Sequence, residues 1–180
     1  MSQSRHQYQP NNSPIAQAPS RARVQSIPSG AAGTLATLKL MRGIVRKAKT
    51  NLLIRETALA IVQRLPEKRW KLEINAVFRF VRDRIRYVGD IQGLETIATP
   101  MKTLEYGQGD CDDKCVLLAS LLIAINHPAR FIALAFHGQA FSHVLVETRL
   151  GGNWIPLEST ERYAMGRGPG KPTNRMVVHI

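Results

Sequence analysis

Gly107-Gln108-Gly109-Asp110-Cys111-Asp112-Asp113-Lys114-Cys115 runs without a break into Val116-Leu-Leu-Ala-Ser-Leu-Leu-Ile-Ala-Ile125, and Asn126-His127-Pro128 ends the stretch. It begins as a glycine turn with three aspartates and becomes apolar nearly all round. A helix with no polar face is one buried on every side, so the stretch predicts a central helix over residues 110–126 with a cysteine in its first turn. Unpaired N–H groups and the macrodipole at a helix N-terminus favour an anion, which draws the Cys111 thiol toward the thiolate. Asp110, Asp112 and Asp113 oppose this by like charge, so a nearby imidazolium is needed to complete the activation. Cys115, one turn further along, reads as a core residue.

Three short strands follow, at Arg130–Phe136, Ser142–Thr148 and Asn153–Glu158. Gly138 punctuates the first pair and Gly151-Gly152 the second, the signature of an antiparallel meander. Of the histidines between Cys111 and residue 160, His127 sits at a helix-ending turn, and His137 sits beside a glycine turn and is expected to be exposed. His143 lies within a strand and shares a face with Leu145 and Glu147. With Gly151-Gly152 as a two-residue turn, paired residues sum to 303, and Glu158 falls diagonal to His143 on one face. With Leu150-Gly151 the sum is 301 and the two face each other. A longer loop would separate them, and the turn chemistry favours the two-residue forms.

A thiol at a helix start, an imidazole on a strand and a carboxylate on the neighbouring strand form a nucleophile, a base and an orienter. Cys111, His143 and Glu158 are the candidate catalytic residues. The Cys111 backbone N–H is a candidate oxyanion donor, with Gln108 or Tyr106 supplying the rest. Trp154 is read as core or as a wall of the cleft.

The three segments, Gly-Gln-Gly-Asp-Cys111-Asp-Asp, Ser-His143-Val-Leu-Val-Glu and Asn-Trp154-Ile-Pro-Leu-Glu158-Ser-Thr, resemble in order and spacing the transglutaminase-like cysteine-enzyme superfamily. The resemblance covers about Ile74–Thr160, with weaker likeness at Ile85-Arg-Tyr87-Val and Thr103-Leu104. It implies an α+β, papain-like core: a helix opening on the cysteine, packed on an antiparallel sheet that carries the histidine and the acid. It also implies acyl transfer or amide hydrolysis on a protein or peptide substrate, by a cysteine peptidase or a transglutaminase-like enzyme, with no cofactor. Glu158 stands where the family commonly has Asp. The pattern is similar, too, to short transglutaminase-like proteins of tailed bacteriophages and prophages. That likeness implies phage structural proteins as partners, and a competing role as a virion or assembly component that keeps the fold for its contacts.

Outside this core the chain reads differently. Its 180 residues carry 25 Lys+Arg against 13 Asp+Glu, a formal charge of +12 and a pI near 10.4. Residues 1–100 hold 17 basic and 6 acidic side chains, and no acid precedes Glu56. Residues 1–34, rich in Ser, Gln and Pro, bury too little apolar surface to offset their ordering and are expected to be a disordered or partner-ordered basic tail. The domain is expected over 35–180: a helical part at 36–88, the cysteine helix at 110–126, the sheet at 129–160 and an extension at 161–180. The helical part shows apolar stripes at Leu38, Met41 and Val45, over Leu52–Leu65, and at Trp70, Ile74, Val77, Phe78, Val81, Ile85 and Val88. Residues 89–109 read as a loop.

Lys39, Arg42, Arg46, Lys47 and Lys49 are the candidate basic docking residues, for phosphates of nonspecific nucleic acid or for an acidic partner. The scarcity of aromatics before Trp70 argues against base stacking. The longest apolar run, Val116 to Asn126, is too short to span a membrane, and Met1–Pro28 lacks the apolar segment of a secretory signal. With two cysteines and no disulfide framework, a reducing compartment is expected; the phage likeness implies the cytoplasm of a bacterial host, with association to the virion. Cys111 and Cys115 lack zinc-knuckle spacing, and the three aspartates lack the glycine and closing glutamate of an EF-hand, so no metal site is expected.

Overall fold

The computed structural model describes residues 28–89, 96–138 and 140–180. Most of the expected tail, residues 1–27, and part of the expected loop, residues 90–95, lie outside the described residues. Three helices come first: α1 (Gly30–Ala48), α2 (Leu52–Val62) and α3 (Trp70–Arg84). The first starts at Gly30, inside the stretch assigned to the tail, because Leu38, Met41, Val45 and Ala48 form a buried stripe that carries helix N-terminally as far as Gly33. The third is shorter than its pattern. Ile85 is extended, and the N–H groups of Arg86 and Val88 donate to the carbonyls of Gly107 and Gly109. That pairing forms a parallel ribbon of β1 (Arg86–Tyr87) with β2 (Gln108–Gly109). Val88 therefore leaves the stripe, and Trp70, in the first turn, is 59% exposed rather than core.

Between the ribbon strands lies α4 (Pro100–Tyr106), where the sequence reads as loop. Its signals are proline at the first helical position and Gly107 at φ 61° just past the last, the usual pair of helix start and stop residues. Helix α5 (Cys111–Ala124) is the centre of the molecule, and every residue from Asp113 to Leu122 is buried. It touches all four other helices and the sheet. Gly109 is obligatory before it: a Cβ there would stand 2.6 Å from Cβ of Asp113.

The sheet is antiparallel, in the order β5-β4-β3-β6, from β3 (Ala129–Ala135), β4 (Phe141–Leu150), β5 (Asn153–Leu157) and β6 (Asn174–His179). Its inner face, with Phe131, Ala133, Val144, Val146, Leu157 and Val178, closes the core around α5. Ile132, Leu134 and Leu145 form a smaller cluster on the other face. There a Cβ on Gly168 would lie 3.6 Å from Leu145 and 3.9 Å from Pro156. Glu147, on that face, is held by Arg130 (2.6 Å) and Arg175 (2.5 Å). No helix among the described residues is long and apolar enough to cross a membrane.

Candidate active site

The α5 N-terminus is capped by Asp110, whose Oδ1 accepts from the Asp113 N–H at 2.9 Å. Asp113 in turn accepts from the Ala98 N–H at 2.7 Å and ties down the chain ahead of α4. Cys111 thus stands in the first turn of a fixed helix, half-buried, with the other first-turn carboxylate beside it: Oδ1 of Asp112 is 3.7 Å from Sγ. Burial pushes the thiol well up, and Asp112 and Asp110 push the same way against a backbone hydrogen bond from Val144. This is the reverse of the direction the helix end alone suggests. The dipole acts with partial charges of about half a unit, and burial first, then the two aspartates, act against it. Since the thiolate is the species that alkylates, iodoacetamide modification of Cys111 in the resting protein is expected to keep rising beyond pH 9. A plateau below pH 8 would contradict this account.

His143 and Glu158 are brought together as the turn chemistry requires. Gly151 and Gly152 take φ of 58° and 86°, and β4 pairs with β5 through Leu150↔Asn153 and Val146↔Leu157, the 303 register. Nε2 of His143 lies 2.5 Å from Oε2 of Glu158, whose side chain is fully buried. Oε1 of Glu158 is also occupied. It accepts from the Thr160 backbone N–H at 2.8 Å and from the Thr160 hydroxyl at 2.5 Å. Burial alone would raise the Glu158 carboxyl, but the hydrogen bonds and charge of His143, with those of Thr160, outweigh it and hold the group below its ordinary value.

Thr160 lies two residues past the carboxylate, and side-chain to backbone closure of this kind is a local signal in acid-x-threonine sequences. Thr160→Val keeps the backbone donor and removes the hydroxyl, so it is expected to cost about 1–2 kcal/mol at neutral pH. A carboxyl with a lowered folded value stabilises above its unfolded value and loses that contribution as pH falls through the folded one. The Thr160→Val deficit should therefore shrink on acidification, as urea unfolding across pH would measure.

Cys111 and His143 line one cleft of about 440 Å³, together with Asp110, Asp112, Phe141, Ser142 and Val144 from α5 and β4. No hydrogen bond joins the thiol to the ring. The opposite wall is unexpected: Pro28, Ser29, Gly30, Gly33, Thr34, Thr37 and Leu38, the beginning of α1 and the residues before it. The other sequence candidates stand apart from this cleft. Tyr106 is exposed and its hydroxyl meets Nζ of Lys102. Gln108 accepts from Arg86 at 2.6 Å. Trp154 lies in β5 with its ring under the Arg130 guanidinium and edge-on to His179, beside a separate hollow formed with His127 and Ile180. His127 is buried against Glu73 at 2.8 Å, and His137 is exposed. Lys39, Arg46, Lys47 and Lys49 project from α1 into solvent and Arg42 is half-buried; none forms an ion pair among the described residues. The described residues hold no cluster of metal-ligating side chains.

A search of curated protein sequences finds no match. Among solved structures, the chain resembles a candidate protease from Parabacteroides distasonis, with 13% identity and a TM-score of 0.60, over 90% of this chain and 34% of that one. It resembles a candidate cysteine protease from Cytophaga hutchinsonii with 17% identity and a TM-score of 0.51, over 71% and 50% of the two chains. A third likeness is to the Rad4–Rad23 complex bound to a 6-4 photoproduct UV lesion, with 12% identity and a TM-score of 0.50, over 74% and 40%. The chain spans half or less of each of these proteins, and at such identities the likeness is one of fold. The sequence profile of the transglutaminase-like superfamily matches residues 40–159, which include α5, β4 and Glu158. With the profile covering two thirds of its length, the chain belongs to the transglutaminase-like superfamily.

Proposed function

We propose that the protein is a thiol enzyme of acyl transfer, acting on amide or peptide bonds through Cys111, His143 and Glu158. The observation that carries the reading is the 2.5 Å contact of His143 with a fully buried Glu158, at the edge of the cleft that holds Cys111. With Nε2–H given to Glu158, the neutral ring presents Nδ1 as the acceptor for a proton. In the proposed cycle Sγ bonds to the substrate carbonyl carbon while its proton passes to Nδ1. The carbon–nitrogen bond then breaks, and the leaving amine takes that proton. Water, activated by the same nitrogen, cleaves the thioester and restores the thiol. The Cys111 N–H belongs to the first helical turn, where a helix leaves donors without an intrahelical acceptor, and serves as the oxyanion donor in this reading. Hydrolysis is favoured over cross-linking because water is always at hand as acceptor.

A p-nitrophenyl ester serves as a generic acyl donor. Expected are a burst of p-nitrophenolate, an acyl mass increment on Cys111, and loss of both in Cys111→Ala. Equal turnover by the variant would overturn the reading. Added amine separates the two outcomes, since a cross-linking enzyme yields the amide and a hydrolase the acid.

A second reading, as an assembly module, is favoured by the basic side chains of α1, which form no ion pair among the described residues. It predicts binding to an acidic partner or to nucleic acid that Cys111→Ala leaves intact, that weakens steeply with salt and that Lys47→Glu with Lys49→Glu reduces.

A further inference from the structure

Two thiols one helical turn apart meet the same residue of the sheet. Strand β5 accompanies β4 from Leu150 to Val146, where their pairing ends. Val144 lies two residues beyond that last pair and directly follows His143. Its carbonyl oxygen is 3.5 Å from Sγ of Cys115 in a buried contact, and its N–H turns to Sγ of Cys111. Past the end of β5, α5 thus takes over this stretch of β4 with its two cysteines. Cys115 is fully buried and takes no part in the proposed cycle. It stands at i+4 from the nucleophile, on the same side of the helix. A thiol is a hydrogen-bond donor, so it meets the carbonyl through S–H as well as through packing.

We propose that Cys115 is a positioning residue for the reaction: its S–H fixes Val144, and with it the backbone of His143, at the distance from α5 at which the ring serves the Cys111 sulfur. The inference rests on the catalytic reading above and adds to it a residue that never touches substrate. The chain of cause is short. The Val144 N–H belongs to the rigid peptide unit that His143 begins, and the Val144 carbonyl belongs to the next one. Contacts at both therefore hold two consecutive peptide planes, and the first of them starts at the Cα of His143. Cys111, His143 and Val144 all line the cleft, and a displacement of about 1 Å between reacting groups can cost about 10²-fold in rate. Burial above all pushes the Cys115 thiol well up, so this sulfur keeps the proton it donates.

The test uses the full-length protein with Cys115→Val and Cys115→Ser. Valine keeps apolar volume and loses the donor; serine keeps a donor and loses volume. The rate constant of the p-nitrophenolate burst is followed at pH 7, because a rate constant, unlike an amplitude, does not depend on how much of the protein is folded. Cys115→Val is expected to slow the burst about 10-fold or more, and Cys115→Ser to recover most of that loss. A residue that served packing alone gives the opposite order. Valine as fast as serine, whether both are slow or both match the wild type, overturns the proposal.

A second measurement requires neither of these variants and no turnover. In Cys111→Ala the chain keeps one thiol, Cys115. Its Raman S–H stretch is expected at lower frequency than that of an alkanethiol in a hydrocarbon solvent, the mark of a donated hydrogen bond. A band at the hydrocarbon position overturns the proposal. Failure of the catalytic reading looks different: Cys111→Ala then releases p-nitrophenolate as fast as the wild type, while the Cys115 band is shifted all the same.

Discussion

His143→Ala is expected to slow acylation of Cys111 by about 10²–10⁴-fold at neutral pH, the range in which a positioned base contributes. The size follows from the state of the sulfur. Burial and two neighbouring aspartates hold the thiol up, so at pH 7 almost no thiolate exists without a base to take the proton. The same argument fixes how the deficit depends on pH. As pH rises the thiol ionises unaided, and the variant should recover toward the wild-type rate, whereas a variant that had merely distorted the cleft would stay slow at every pH. The burst rate of p-nitrophenolate release between pH 6 and pH 10 distinguishes the two. Glu158→Gln should act in the same direction by less, because the amide still fills the buried space and can accept from the ring, but it no longer favours the imidazolium. If His143→Ala acylates as fast as the wild type at pH 7, the ring has no part in the chemistry.

The part of this arrangement that can be read from sequence is the part set by local rules. Gly151-Gly152 fixes a two-residue turn, the turn fixes the register, and the register puts Glu158 diagonal to His143. Each step depends on a few adjacent residues, and the observed pairing of Leu150 with Asn153 follows it. The apolar run from Val116 likewise announces a central helix, whose first turn is where Cys111 must lie. What escaped depends on contacts between segments distant in the chain. The beginning of α1 faces Cys111 across about eighty intervening residues, and nothing in Gly30-Ala-Ala-Gly-Thr-Leu announces a cleft wall. Trp154, read as core or as a wall of the cleft, packs with Arg130 and His179, contacts that join segments sequence alone does not bring together. Tyr106, one of two alternatives for the oxyanion donor, meets Lys102 at the surface. At Cys111 the helix dipole and the opposing aspartates are both legible in sequence, whereas the burial that pushes the thiol up most is not. Thr160 holds Oε1 of Glu158 and leaves Oε2 for the His143 ring, a local closure two residues along the chain.

Lys114 is the residue whose loss the fold should feel most. Its side chain is 1% exposed, and its ammonium donates to the Ile85 carbonyl at 2.6 Å and the Arg82 carbonyl at 3.4 Å. It thereby satisfies the negative end of α3 from the first turns of α5. This bond joins the helix that carries Cys111 to the place where α3 gives way to β1. Burial lowers the Lys114 ionisation, and the carboxylates of Glu158 and Asp83 pull against that effect. Lys114→Ala removes the donor, leaves the Ile85 carbonyl buried without this partner and opens a cavity beside Cys115, so a loss of about 3–5 kcal/mol in unfolding free energy is expected. Lys114→Met fills the space but not the carbonyl, and should cost about 1–3 kcal/mol. The pH dependence gives a separate signature. A lysine whose folded value lies below its unfolded one binds fewer protons when folded, so it makes stability rise as pH climbs between the two values. That alkaline rise, followed by urea unfolding from pH 7 to pH 10.5, should be present in the wild type and missing in Lys114→Met. A Lys114→Met protein as stable as the wild type at every pH would show that the ammonium holds nothing together.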